Sequence, residues 1–66
     1  MRITIGKGMS FYEAFNCAKE MMKLSGSAFA EFEFNDVQIT VQRDSVFPDI
    51  AEIYDLKRVI QRLRGN

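Results

Sequence analysis

Across residues 28–43, apolar and polar side chains alternate in two runs that mirror each other about Asn35 and Asp36. A two-residue loop at that point sets Phe34 opposite Val37, Phe32 opposite Ile39 and Ala30 opposite Val41, which makes one wholly apolar face. The other face carries Glu33 opposite Gln38, Glu31 opposite Thr40 and Phe29 opposite Gln42. A slip of one residue would turn the inward phenylalanines to water, so the pattern fixes its own register. Asn and Asp both tolerate the positive φ that a type I′ turn takes at its two central positions, and such turns match strand twist. The stretch predicts a β-hairpin.

On either side the period changes. Arg2, Ile3, Thr4 and Ile5 alternate and are rich in β-branched side chains, which predicts a short opening strand. Gly6, Lys7 and Gly8 break that pattern. Ser10 followed by Glu13 is a capping box, in which each side chain satisfies an orphan backbone donor of the first helical turn. Phe11, Ala14, Phe15, Ala18, Met21 and Met22 then recur at helical spacing, and Cys17 and Leu24 widen the stripe. Gly26 is placed to end that helix in the left-handed conformation. After the hairpin, residues 44–48 are turn-rich, and Pro48 suits a first helical turn, where its missing N–H costs nothing. Ile50, Ile53, Leu56, Val59, Ile60 and Leu63 form a second apolar stripe, read as one helix or as a turn and a fresh start at Asp55, with Gly65 as its stop.

These elements predict an α+β fold of order β-α-β-β-α: a three-stranded, mostly antiparallel sheet with two helices packed on one face. That arrangement buries every stripe in one core. The opening strand can join the first hairpin strand in parallel or the second in antiparallel fashion, and the greater frequency of antiparallel pairs favours the second. Length sets the expectation of a single compact domain over 1–66.

A chain this short buries only about 60% of its unfolded surface, so small domains often lean on a staple or a partner. One cysteine cannot close an intramolecular disulfide, and the absence of histidine removes the zinc-finger ligand sets, so no metal or other cofactor is expected. Hydrophobic residues make up 47% of the chain, including six Phe, which exceeds what one small sheet needs. Phe29 points to the polar sheet face, and Met9, Phe11, Tyr12, Phe47 and Tyr54 sit at element ends or edges. That surplus points to association: a two-fold homodimer through Phe29 or the hairpin edges, or contact with another protein. Nine basic residues balance nine acidic ones, whereas general nucleic-acid binding favours a basic excess. No apolar run approaches a signal peptide or a membrane span, and with a free thiol this reads as a cytoplasmic setting.

Without histidine the commonest general base is missing, and the chain is not read as an enzyme. Two candidate surfaces remain. A candidate protein-binding surface is Phe29 with Glu31 and Glu33 of the polar sheet face, or the face of the second helix around Tyr54, since exposed aromatics are what binding hot spots are made of. Gly6, Lys7, Gly8 and Ser10 lead from a strand into a capped helix N-terminus, where backbone N–H groups and the helix dipole favour phosphate. Joined by Arg58 and Arg62 of the second helix, they form a candidate nucleotide site. The plainer readings are a tight strand-to-helix turn and a solvated helix face whose charges complement the macrodipole.

The opening Arg2-Ile3-Thr4-Ile5, the capped helix around Glu13-Ala14-Phe15 and the hairpin Phe32-Glu33-Phe34-Asn35-Asp36-Val37-Gln38-Ile39 resemble small bacteriophage accessory proteins in size and layout. Among these are counter-defence proteins, which block bacterial immune complexes or sequester their nucleotide signals. The resemblance implies inhibition by binding and, for a phage protein, the host-cell cytoplasm. The expected function is thus a non-enzymatic inhibitor of a bacterial defence protein through protein–protein contact. Sequestration of a nucleotide signal and a small oligomerising structural subunit are the alternatives.

Overall fold

The computed structural model describes residues 1–64. The two alternating runs form β1 (Phe29–Phe34) and β2 (Val37–Gln42), paired antiparallel in the register the pattern predicts. Asn35 and Asp36 take φ of 50° and 65°, the positive pair that a type I′ loop demands. Ala30, Phe32, Val37, Ile39 and Val41 are buried on the inner face, while Glu33, Gln38, Thr40 and Gln42 lie exposed on the other.

The first helix, α1 (Phe11–Ser25), begins at the capping box and ends at Gly26, whose φ of 73° and N–H bond to the Met22 carbonyl close the last turn. Ala14, Phe15, Ala18 and Met22 are its buried side chains, and it lies across both strands. Met21 and Leu24 stay outside the core: the sheet is narrow, and the stripe is wider than the surface that receives it.

The predicted three-stranded sheet does not form. The sheet has two strands, the element order is α1-β1-β2-α2, and the opening segment contributes only an isolated parallel bridge between Arg2 and Glu31. The bonds are Ile3 N–H to the Glu31 carbonyl (2.9 Å) and Glu31 N–H to the Met1 carbonyl (2.8 Å). The hairpin dictates this choice. Alternate residues of an antiparallel pair turn their backbone groups outward, and in this register Glu31 is one of them. The segment also sits beside β1 in parallel, not beside β2 in antiparallel fashion as the frequency argument favoured. Ile3 and Ile5 pack half-buried against the core edge, and Gly6 then carries the chain into a turn closed by Met9 N–H on the Gly6 carbonyl.

The second helix, α2 (Phe47–Arg64), is continuous through Asp55; the predicted stop at Gly65 lies outside the described residues. It packs along β2, and only Ile50 and Tyr54 are buried. The expected core stripe is therefore mostly not core: Ile53, Leu56, Val59, Ile60 and Leu63 are all exposed. Tyr54 takes their place because α1 presents an aromatic wall. Phe11 stacks on Tyr54 at 4.5 Å between centroids and touches Phe32, Phe34 and Phe47 at 5.4 to 6.2 Å. Four of the six supposed surplus residues, Met9, Phe11, Phe47 and Tyr54, are thus buried or half-buried, leaving Tyr12 and Phe29 exposed.

Candidate functional site

Phe29 and Tyr54 do not share a surface. Phe29 alternates onto the open outer face of the hairpin, beside half-buried Glu31 and exposed Glu33, whose carboxylate lies 4.0 Å from the Arg2 guanidinium. Tyr54 is inside, on the helical side of the sheet. Its ring also meets Phe34 edge-on, and its hydroxyl accepts a hydrogen bond from Asn35 Nδ2 at 2.9 Å, so the polar tip is satisfied in place. Phe29 is left as a single apolar side chain on a polar face, and scattered single side chains of this kind are ordinary.

The phosphate candidate is likewise dispersed. Gly8 takes φ 86°, which a left-handed turn needs, and Lys7 is exposed. The helix N-terminus beyond it is already answered from within. Ser10 Oγ accepts from Glu13 N–H at 3.1 Å, and Glu13 Oε1 accepts from Ser10 N–H at 2.9 Å. The backbone N–H of Ser10 first, and then its hydroxyl, hold the Glu13 carboxyl below its ordinary pKa against an opposing desolvation. A carboxylate thus occupies the place a phosphate would take. The depression beside the loop is lined by Glu33 as well as Lys7, and neither Arg58 nor Arg62 lines it. The Arg58 guanidinium instead lies over the Tyr54 ring at 5.7 Å.

The feature that the pattern mislaid is the outer face of α2. Every residue from Asp55 to Arg64 is exposed, and Leu56 (59%), Val59 (55%), Ile60 (51%) and Leu63 (75%) lie among them, with Ile53 (43%) one turn earlier. The helix is held to the hairpin by polar links instead. Lys57 Nζ donates to the Gln38 carbonyl at 2.8 Å and Gln61 Nε2 to the Asp36 carbonyl at 3.1 Å, the first of these acceptors on the outward edge of β2. Those links use the line Ile50, Tyr54, Lys57 and Gln61, and so orient the neighbouring line Ile53, Leu56, Ile60 and Leu63 away from the core. The i to i+4 pair Ile50 and Tyr54 was the available signal for the true packing face.

Among the described residues, no group of three or more His, Cys, Asp or Glu side chains is placed to hold a metal ion, and no helix is long and apolar enough to cross a membrane. Cys17 is half-buried in α1 and unpaired. No protein-family model, curated protein or solved structure matches the chain.

Proposed function

We propose that this chain is a non-enzymatic binding module that works by protein contact through the outer face of α2, laying an amphipathic helix against an apolar partner surface. The observation that carries this reading is the run of exposed large aliphatic side chains at Ile53, Leu56, Val59, Ile60 and Leu63 on one 18-residue helix. Apolar side chains recurring three and four residues apart are how helices anchor in partner grooves. In the class of action that the resemblance implies, contact inhibition of a bacterial defence protein, this is the face that would cover the target. Phe29 with Glu31 and Glu33 is too sparse in apolar area to lead, and Tyr54 serves the core.

Nucleotide sequestration is the weaker reading, since Glu13 already takes the Ser10 N–H, Glu33 lines the depression beside the loop, and Arg58 and Arg62 do not line it. The test compares Leu56→Asp with Lys7→Ala. Loss of protein association in Leu56→Asp, with Lys7→Ala unaffected, is the expected result. A nucleotide that raises the melting temperature of the wild type and not of Lys7→Ala would replace this reading with sequestration.

A further inference from the structure

We infer that the outer face of α2 pairs with the same face of a second copy of this chain, as a short, parallel, two-stranded coiled coil. The inference rests on the protein-contact reading above and names the partner of that surface. Ile53, Leu56, Ile60 and Leu63 are separated by three, four and three residues, the spacing of the two seam positions of a heptad repeat. Both residues at the first seam position are Ile and both at the second are Leu. A β-branched residue at the first position with Leu at the second is the combination that favours parallel dimers over higher assemblies. All four are exposed, so nothing within the described chain already fills the seam.

The flanking charges select the partner and its orientation. Glu52 immediately precedes Ile53, and Lys57 immediately follows Leu56. In a parallel pair, a residue at the Glu52 position meets the residue five further along on the other helix, which is Lys57 of the second copy. Opposite charges therefore face each other on both sides of the two-fold axis. An antiparallel pair would instead bring Lys57 against Arg64 of the second copy, like against like. The exposed Glu52 carboxylate makes no hydrogen bond or ion pair within the described residues. Lys57 is steadied beside the seam by its bond to the Gln38 carbonyl and keeps further N–H groups to donate.

Geometry leaves room for the second copy. At about 100° per residue, the mean direction of the seam lies about 110° from that of Ile50, Tyr54, Lys57 and Gln61, the line held against the hairpin. The two bodies would then sit to the outside of the paired helices. One heptad before Ile60 and Leu63 the pattern still holds, but one before Ile53 and Leu56 it reads Val46 and Asp49, and the charge ends the seam. Two heptads make a small interface, at the weak, concentration-dependent end of association.

Sedimentation equilibrium of the full chain from low to high micromolar concentration tests the pairing. The wild type should pass from monomer to dimer. Leu56→Asp should weaken dimerisation by about tenfold or more, while keeping the helical circular dichroism of the wild-type monomer, because position 56 is exposed there. Glu52→Lys should weaken it as well, and Glu52→Gln should weaken it by less. A dimer indifferent to Leu56→Asp overturns the inference, and one sensitive to Leu56→Asp but indifferent to Glu52→Lys overturns the parallel arrangement. A wild type that stays monomeric throughout, while an α2-dependent contact with a different protein persists, overturns the self-pairing and leaves the binding-module reading standing. If neither kind of contact depends on α2, both fall.

Discussion

The two helices each carry an apolar stripe and use it in opposite ways. In α1 the stripe meets both strands, and Ala14, Phe15, Ala18 and Met22 are buried by it. In α2 the packed line is a different one, reduced to Ile50 and Tyr54, and the aliphatic stripe beside it faces water. Periodicity reports that a helix has an apolar side; it does not report what covers that side. A two-stranded sheet has room for one helix across it and only part of a second. The polar links from Lys57 and Gln61 settle which part of α2 is received.

The sharpest way to break this contrast is to truncate one large side chain on each side of it. Phe32 is fully buried under Phe11, and Phe32→Ala should cost about 3–5 kcal/mol. A core of this size rarely supplies more than about 3–5 kcal/mol, so that change should unfold the chain. Leu56→Ala, measured at low protein concentration, should stay within about 0.5 kcal/mol of wild type, as exposed positions do. Chemical denaturation followed by circular dichroism reads both. Comparable losses from the two variants would mean that α2 buries its stripe after all.

The next effect concerns how α2 is tied to the rest. Phe11 bridges α1, β1 and α2 through its contacts with Phe32, Phe34, Phe47 and Tyr54. It is half-buried, so Phe11→Ala should cost somewhat less than Phe32→Ala, about 2–3 kcal/mol. Amide exchange should rise first in α2, whose own buried contacts are few. Uniform loss of protection across both helices would place Phe11 in the common core and not at the joint.

How much of this was legible follows from where each instruction resides. The hairpin register, the I′ loop, the capping box and the Gly26 stop are local, set by residues within a few positions of one another. All four were readable. The third strand was a non-local question. Ile3 and Ile5 have the composition of a strand, but pairing depended on which backbone groups of β1 point outward, and only the groups around Glu31 are taken up. Tyr54 reads as surface because it lies outside the aliphatic stripe of α2, yet Asn35 satisfies its hydroxyl inside the fold. The same stripe hid the candidate site, since assigning Ile53, Leu56, Ile60 and Leu63 to the core left the surface to Phe29 and Tyr54.

A smaller effect isolates the backbone at the end of α1. Gly26 has φ 73°, and a Cβ there would meet nothing within 4 Å. The cost of Gly26→Ala is therefore conformational alone, about 1 kcal/mol for an L residue in the left-handed region. Thermal unfolding checks it. A loss several times larger would require a steric conflict that the geometry does not contain.

The smallest effect distinguishes the start of α1 by pH. The Glu13 carboxyl is held below its ordinary value of 4.5 by the bonds from Ser10. A folded-state value lower than the unfolded one adds stability that is fully present above the unfolded pKa and is lost as pH falls through the folded one. The window is thus acidic, beginning near the ordinary carboxylate range and extending below it. Glu13→Gln keeps an acceptor for the Ser10 N–H but cannot ionise. Its melting temperature should sit slightly below that of wild type at neutral pH, and the gap should close on acidification as the wild-type carboxyl protonates. Melting curves across the acid range read this directly. A gap that stays constant with pH would mean that Glu13 acts only through shape, and that its charge contributes nothing to the start of the helix.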